Sequence, residues 1–516
     1  MFLKKIIAKH YRLILITIFI AAYLLTRLSY LPYDEINPDG VNWHHRSQQF
    51  IVGLKTLDFE KTYQHYHPGV TLMWITGIPV EILKQLTGEQ FYNHLNFTPF
   101  HIVAKFSLVF AQLIITILLL FFLSKILSFN KALLVISIFS FEPFFVGNSR
   151  LYHMDVLLTL FVFLSLTATW IQLHKPSFRY ALLVGALISL SFLTKSIGVI
   201  LLPFLFVVYA IYFVRTKNSI WVKNFILIML AFGVVTFALF PALWVKPVYY
   251  LTEIFSESER VGVRDGHPQI VFGESTLNGG PLFYLLDLVL KSSVFAVAGM
   301  VFFVFFQTKK AFQKGTSKWS FSLFTGLFYV SYLVLMTIFS KKIDRYSLVV
   351  YPLFGLMCLE TLVWVRGFVT NKYSYYFGVI GLYWLTVVSP LITFYPYYFT
   401  FTSPLFGSAI NANKIIAQKP FGIAIYELKD HLAKNYYPKY GVYPQLGFID
   451  TKPMGAIYPN SKIIDIRIET PSENTLVVLG MNEDFIGDSA FVKANFVKLS
   501  SVYVNGLEYW RIYGYE

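Results

Sequence analysis

Long apolar stretches alternate with short polar segments from the start of the chain to Pro396. Eleven stretches approach the ~20 residues that an α-helix needs to cross a bilayer. They are residues 13–31, 103–124, 131–147, 156–173, 180–196, 197–214, 223–245, 283–306, 320–340, 346–365 and 375–395. The fifth and sixth run together, and only Lys195 and Gly198 mark the reversal between them. The pattern predicts a polytopic α-helical membrane protein.

Charge patterning predicts the orientation of these spans. If residue 1 lies in the cytoplasm, the inner segments contain 17 Lys and Arg and no acidic residue. These segments are 1–12, 125–131, 174–179, 215–223, 307–318 and 366–372. Because Lys and Arg are enriched in cytoplasmic loops, we expect a plasma or inner membrane protein with its N-terminus inside and its C-terminus outside. The first span lacks a small-residue cleavage site, so we interpret it as a retained helix and not a signal peptide.

Composition excludes several classes of protein. With 56% hydrophobic and 19% aromatic residues, a soluble domain of this size is implausible. The net charge of +15 comes from short runs at span ends and not from one basic face, so we expect no nucleic-acid partner. The single cysteine, Cys358, lies inside a span and can form neither an internal disulfide nor a thiolate metal site.

Two outer loops are too long to be simple connections. In the loop 32–102, one segment starting at Val41 and another from Val70 to Leu86 show helical or apolar patterning, which predicts two helices along the membrane surface. The loop 246–282 is polar and glycine-rich, which is typical of a mobile binding loop.

After Pro396 the composition becomes that of a small soluble domain. Its pattern predicts an α/β module on the outer face, so we divide the chain into a membrane domain, 1–395, and a soluble domain, 396–516. The predicted elements are a helix over Ala424–Asn435, a buried strand over Asn474–Leu479, and a hairpin over Ser501–Tyr515 that turns at Asn505-Gly506.

Asp39 is the first candidate for chemistry. It lies just beyond the first span, where a carboxylate stays hydrated yet close to a lipid-borne substrate, and this suits a general base. The alternative is that Asp39 is the N-cap of the following surface helix. Asp34 and Glu35 are competing acids nearby, and His67, in a His-Pro-Gly element, is either a substrate contact or an ordinary loop residue.

Arg150 and Asp155 flank the start of the fourth span. An acid at a helix start is favoured by the helix dipole, and Arg150 is able to pair with it, so a structural ion pair is one interpretation. The other is that this group orients the catalytic acid or places a cation beside it.

A short outer turn breaks the inside-positive pattern with Lys341, Lys342 and Arg345, followed by Tyr346. Cations at the headgroup level are suited to hold a lipid phosphate through charge-assisted hydrogen bonds. The alternative is an ordinary charged surface turn. Other residues at neighbouring outer ends join this candidate site: Lys195, Lys291, Arg260, Arg264 and His267.

The order and sidedness of these elements resemble a known superfamily. The elements are Asp39, the His-Pro-Gly element, Arg150 with Asp155, the Lys195 turn, the loop from Gly266 to Tyr284, and KKIDRYSLVVYP from Lys341 to Pro352. Together they resemble the GT-C glycosyltransferases of the protein O-mannosyltransferase and lipid A aminoarabinose transferase superfamily, over roughly residues 13–400.

The resemblance implies an enzyme that takes a sugar from a polyprenyl-phosphate carrier and passes it to a protein, lipid or glycan acceptor on the outer face. It implies that Asp39 is the catalytic base and that Asp155, the acid opening the fourth span, is the second catalytic residue. Direct displacement would invert the anomeric carbon. No cofactor is firmly implied, and a divalent cation is left open. Tyr66-His67-Pro68-Gly69 replaces the Glu-Lys-Pro-Pro of the aminoarabinose transferases, so sugar and acceptor do not carry over.

Two other functions stay open. A transporter or flippase of a lipid-linked saccharide would show an internal repeat with broken helices around a mid-membrane site, and the sequence shows no such repeat. A sensor with a carbohydrate-binding outer domain would explain the C-terminal module but not the structured first loop.

Overall fold

The structure is a computed structural model that describes residues 2–314, 320–483 and 489–515. Residue 1 and residues 315–318, which belong to the basic inner segments predicted above, lie outside the described residues. The first half of the chain contains α1 Phe2–Leu28, α2 Pro38–Thr56, α3 Val70–Thr87, α4 Phe97–Leu123, α5 Phe129–Ser140, α6 Pro143–Arg150, α7 Asp155–His174, α8 Phe178–Thr194, α9 Leu201–Thr216 and α10 Ile220–Leu239.

The second half mixes membrane helices with the elements of the outer loops and the soluble domain. It contains α11 Ala242–Val245, α12 Pro247–Glu259, β1 Gln269–Val271, β2 Glu274–Thr276, α13 Phe283–Leu290, α14 Val294–Lys314, α15 Phe321–Ile338, α16 Tyr351–Arg366, α17 Lys372–Tyr383, α18 Ser389–Thr393, α19 Ala409–Ile415, α20 Ile425–Tyr440, β3 Gln445–Phe448, α21 Lys452–Gly455, β4 Ile463–Asp465, β5 Thr475–Gly480, α22 Ser489–Asn495, β6 Phe496–Val504 and β7 Leu507–Tyr515.

The predicted class, a polytopic helical membrane protein, is confirmed. Within the described ranges, eight helices are long and apolar enough to span a membrane, and the bent pair α5 and α6 is a ninth candidate. Two shorter apolar helices, α8 and residues 294–309, account for the remaining predicted spans.

Two spans are not the straight helices that the hydropathy pattern predicts. The third bends by 72° between α5 and α6, at Pro143, whose ring nitrogen has no proton to donate. The eighth is divided into α13 and α14. Glu142 lies between α5 and α6, and Ser293 lies between α13 and α14. The Glu142 carboxylate connects these two interruptions by accepting hydrogen bonds from the Ser293 backbone N–H at 2.8 Å and from Ser293 Oγ at 2.6 Å.

Helix α7 is the centre of the bundle. Its residues from Asp155 to Leu173 are all buried, as expected for a helix that is apolar on every side. Neighbouring helices therefore fix its first residue, Asp155, in position.

The first outer loop folds into α2 and α3, as predicted. The N-cap of α2 is Asn37, whose side chain accepts a hydrogen bond from the Gly40 N–H at 2.5 Å. The alternative that Asp39 caps this helix is therefore wrong. Asp39 lies inside the first turn, where the helix dipole favours a negative charge.

A buried group of charges anchors the same loop to the bundle. The Lys105 ammonium lies 2.6 Å from Asp34 Oδ1 and 2.8 Å from Glu35 Oε1, and Arg150 Nε lies 2.7 Å from Asp34 Oδ2. Asp34 and Glu35, the competing acids, are therefore held by structural cations. The interpretation that Arg150 pairs with Asp155 is also wrong, since its carboxylate partner is Asp34.

The second outer loop contains α12 and the hairpin of β1 and β2, in the region where the sequence favours a mobile loop. The hairpin is bound to the segment that precedes α20. The Ala417 N–H donates to the Ile270 carbonyl at 3.0 Å, and the Phe272 N–H donates to the Ile415 carbonyl at 2.9 Å.

The C-terminal module is an α/β domain with a five-stranded sheet in the order β4-β3-β5-β7-β6. Strand β3 is parallel to β4 and β5, whereas β7 is antiparallel to β5 and β6. The predicted helix, buried strand and hairpin are confirmed as α20, β5 and β6–β7. The boundary at residue 396 stays a prediction.

This domain is attached directly to the loop that carries Asp39. The Ile36 N–H donates to the Gly422 carbonyl at 3.1 Å, and the Ala424 N–H donates to the Asp34 carbonyl at 3.0 Å. Gly422 has a φ of +68°, and a Cβ there would lie 1.9 Å from the Ile36 carbonyl oxygen, so the contact requires glycine.

Candidate active site

A cavity of about 840 Å³ lies between the helical bundle and the C-terminal domain. The start of α2, the His-Pro-Gly element, the turn before α16, the β1 strand and the C-terminal sheet all contribute to its wall. Among the predicted site residues, the lining includes Asp39, His67, Lys195, His267, Lys291, Lys341, Arg345 and Tyr346.

Asp39 presents its carboxylate to this cavity. Its side chain is 40% exposed, and its Oδ2 lies 3.0 Å from Arg345 Nη2 and 3.5 Å from His153 Nε2. Burial raises the pKa of the Asp39 carboxyl, but the His153 contact and the Arg345 charge outweigh burial and hold that pKa well below its usual range. Asp39 is therefore a carboxylate at neutral pH.

Asp155 lies behind Asp39, and its side chain is 5% exposed. Lys195 Nζ lies 2.7 Å from Asp155 Oδ1, and His153 Nδ1 lies 2.9 Å from Asp155 Oδ2. Arg345 Nη1 lies 3.8 Å from the same Oδ2. The His153 ring and the Arg345 guanidinium each contact both carboxylates, so Asp155 positions the groups that hold Asp39.

Aromatic rings support the two principal cations. The Arg345 guanidinium lies 4.5 Å from the centre of the Phe421 ring, and the Lys195 ammonium lies 3.8 Å from the centre of the Tyr346 ring. The Arg345 side chain is only 7% exposed. The alternative of an ordinary exposed charged turn is therefore wrong for Arg345.

The two lysines of that turn point in different directions. Lys341 lines the cavity, and its Nζ donates to the Tyr66 hydroxyl at 3.3 Å. Lys342 Nζ instead donates to Asn278 Oδ1 and to the Phe339 carbonyl, both at 2.7 Å. Lys342 is buried outside the cavity wall, so its predicted phosphate contact has no support from its position.

Of the residues predicted to support the site, His67 and Lys291 line the cavity and Arg150 does not. His67 lines the cavity, with Nδ1 3.3 Å from Ser196 Oγ, and burial lowers the pKa of its ring well below the usual range. The Lys291 Nζ lies 5.0 Å from the centre of the Phe144 ring. Arg150 donates to Asp34 and to the carbonyls of Thr26 and Arg27 and lies outside the cavity lining.

The far wall of the cavity belongs to the C-terminal domain and contains both carboxyl groups and the cations Lys452 and Arg467. Asp450, Asp465 and Glu483 line it. Burial raises the pKa of the Asp450 carboxyl, and it raises that of Glu483 to about 7. The cavity therefore has a cationic side around Arg345 and a side rich in carboxyl groups opposite.

Sequence reasoning missed His153 and Lys419 as site residues. His153 lies two positions before Asp155, within the segment from Arg150 to Asp155 that the sequence identifies as a candidate. Its closeness to Asp155 in the sequence was therefore a signal that could have identified it. Lys419 has no local motif. It reaches the cavity only because the segment before α20 folds back over the bundle.

The site does not fit a divalent cation. Arg345 and Lys195 already neutralise the two central carboxylates. Among the residues that the structure describes, no group of three or more His, Cys, Asp or Glu side chains is arranged to hold a metal ion.

Known proteins support the fold that the sequence predicts. Residues 100–244 match the family model described as dolichyl-phosphate-mannose-protein mannosyltransferase. No curated protein matches the chain significantly in sequence.

The whole chain is similar to solved structures. The crystal structure of ArnT from Cupriavidus metallidurans bound to undecaprenyl phosphate has a TM-score of 0.52 and 13% identity, over 96% of this chain and 97% of that one. The apo structure of the same protein gives 0.52 and 12%, over 98% of both chains. The Archaeoglobus fulgidus oligosaccharyltransferase is more distant, with a TM-score of 0.46 and 10% identity, over 88% of this chain and 64% of that one. The near-complete overlap with ArnT shows the GT-C fold, and the family match confirms the resemblance to this superfamily of glycosyltransferases.

Proposed function

We propose that this chain is a membrane glycosyltransferase that transfers a sugar from a polyprenyl-phosphate carrier to an acceptor on the extracytoplasmic face, with inversion. The observation that carries the proposal is the pair of Asp39 and Arg345, a cavity-facing carboxylate 3.0 Å from a buried guanidinium. One group is suited to activate an acceptor, and the other is suited to bind the phosphate that leaves.

The reaction is a direct displacement. Asp39 takes the proton of the acceptor hydroxyl, and the acceptor oxygen forms a bond to the anomeric carbon. The bond from that carbon to the phosphate oxygen breaks, and its electron pair stays on the polyprenyl phosphate. Arg345 and Lys341 stabilise the charge that develops there.

Donor binding prepares the base. The His153 contact and the Arg345 charge together hold the pKa of Asp39 low, which keeps Asp39 ionised but makes it a weak base. A phosphate that engages Arg345 shares its charge, so the pKa of Asp39 rises towards the range in which proton transfer is efficient. The arrangement thus links activation of the acceptor to the presence of the donor.

The sidedness of the chain supports the outer face. Asp39 follows the end of α1, Asp155 begins α7 and Lys195 follows the end of α8. All three lie at the ends opposite the basic inner segments. A lipid carrier of the kind named for the ArnT crystal structure, undecaprenyl phosphate, would place its phosphate at this level. The part of the cavity beside Asp450, Asp465 and Glu483 is then available to the acceptor.

A conversion assay tests the proposal. The purified protein is incubated with heat-treated, detergent-solubilised membranes of its own source, which contain lipid, glycan and protein acceptors together with the donor. Polyprenyl-phosphate sugars and free polyprenyl phosphate are quantified by mass spectrometry. We expect the sugar-linked form to fall and the free phosphate to rise. A flippase would leave both amounts unchanged, and that result would reject the proposal.

A further inference from the structure

The C-terminal domain places one ammonium group in the cationic side of the cavity. Lys419 lies in the segment before α20 and lines the cavity. Its Nζ lies 2.6 Å from His267 Nε2 and donates to the Pro268 carbonyl at 2.9 Å. An ammonium has three protons, so these two contacts leave one for a ligand.

Backbone contacts hold this lysine in place. The Ala417 N–H donates to the Ile270 carbonyl, two residues beyond Pro268. On the other side, Phe421 lies under the Arg345 guanidinium. Lys419 is therefore fixed between the β1 strand and the Arg345 site.

Lys419 differs from Arg345 in its charge partners. Arg345 contacts Asp39 and Asp155. Within the described part of the chain, the hydrogen-bond partners of Lys419 Nζ are the His267 ring and the Pro268 carbonyl. The hydrogen-bond partner of Lys341 Nζ there is the Tyr66 hydroxyl. Neither lysine has a carboxylate partner there.

Two partly enclosed ammonium groups with no carboxylate in direct contact are costly, because the more distant carboxylates compensate their charge only in part. Burial lowers the pKa of Lys419 to about 8; the Asp344 and Asp39 charges oppose this shift, whereas the Arg345 and Lys341 charges add to it. An anion between Lys419 and Lys341 would remove this cost, and a phosphate has enough acceptor oxygens for both.

We propose that Lys419 of the C-terminal domain, together with Lys341, binds the phosphate of the polyprenyl carrier, and that His267 is the positioning residue that orients the Lys419 ammonium. The inference rests on the proposed function and extends it. The soluble domain then takes part in donor binding and is not only a platform for the acceptor.

The test measures binding of undecaprenyl phosphate to the full-length protein in detergent, with undecaprenol as the phosphate-free probe. Loss of a charge-assisted hydrogen bond predicts that Lys419→Ala weakens undecaprenyl phosphate binding about tenfold or more. Lys419→Arg keeps the charge and is expected to bind within about threefold of the wild type. Undecaprenol binding is expected to stay the same in all variants.

Lys452→Ala is the matched control. Lys452 lines the same cavity from the same domain, but its charge acts on Asp450, so its removal is expected to leave undecaprenyl phosphate binding unchanged. Wild-type affinity in Lys419→Ala would overturn the inference, as would an equal loss of undecaprenol binding. If the wild type itself failed to bind undecaprenyl phosphate, the proposed function would fail first, and the two failures are distinguishable.

Discussion

Arg345 Nη2 lies 3.0 Å from Asp39 Oδ2, and Nη1 of the same guanidinium lies 3.8 Å from Asp155 Oδ2. One cation thus spans the cavity-facing carboxylate and the buried one. This relationship explains why Asp39 stays ionised in an enclosed site. It also predicts that a change at Arg345 alters the chemistry of Asp39.

Replacement of Arg345 is the first prediction. The His153 contact and the Arg345 charge both lower the pKa of Asp39. Arg345→Ala removes the second of these, so the acid limb of the pH profile of kcat/KM is expected to move to higher pH. Turnover is expected to fall by about 10²-fold or more, the scale for loss of a group that stabilises developing charge. Because two carboxylates lose a partner, detergent stability is expected to fall as well. An unchanged acid limb would show that Arg345 does not control Asp39.

The buried ion group predicts a different effect for Asp34. Asp34→Asn leaves Lys105 and Arg150 with less compensating charge, and a broken buried pair costs about 3–5 kcal/mol. We expect a clear drop in the thermal unfolding midpoint in detergent. Asp39→Asn, the matched acid-to-amide change at a side chain 40% exposed, is expected to lower that midpoint much less. Equal midpoints for the two variants would contradict the assignment of Asp34 as an anchor.

Buried histidines predict how stability depends on pH. Burial lowers the pKa of His44 and His67 well below the usual range, and that of His65 and His267 to about 3. Below about pH 6.5 the unfolded chain gains protons that the folded chain does not accept. The contribution of these histidines to the free energy of unfolding is therefore expected to be fully present above this pH and to decrease as the pH falls below it.

The unfolding midpoint measured between pH 8 and pH 5 checks this expectation. His44, with 1% exposure, contributes up to about 1.4 kcal/mol per pH unit, so His44→Gln is expected to show a shallower pH dependence than the wild type. A midpoint that rises as the pH falls from 6.5 would contradict the prediction.

Cysteine labelling in intact cells tests the orientation. In a Cys358→Ser background, single cysteines at Glu89 and Glu473 are expected to react with a membrane-impermeant thiol reagent, whereas one at Lys217 is expected to stay unlabelled. All three positions are exposed, so access across the membrane decides the result. Labelling of position 217 alone would show that the chain has the opposite orientation in the membrane.

The sequence predicts the spans well because hydropathy is a local property, but it cannot reveal how they break. The bend at Pro143 and the break before α14 depend on the contact between Glu142 and Ser293, which are 151 positions apart. Likewise, Asp34 is excluded as a candidate base in favour of Asp39 because Lys105 and Arg150, which are distant in sequence, pair with Asp34.

Candidate site residues close to one another in sequence were found more easily than those brought together by folding. Asp39 and Arg345 each stand out within a short segment, although 306 positions separate them. Lys342 belongs to the same basic run as Lys341, but its side chain points away from the cavity. The charge pattern of a turn does not predict the direction in which each side chain points. Lys419 depends on the docking of the whole domain.

Transfer by Asp39→Asn tests the central claim most directly. Asn keeps the size of the side chain but cannot accept the proton, and the cap of α2 belongs to Asn37. In the conversion assay with solubilised membranes, we predict that release of free polyprenyl phosphate falls by about 10²-fold or more, while the variant still binds undecaprenyl phosphate. Release of polyprenyl phosphate by Asp39→Asn at a rate near that of the wild type would contradict the account.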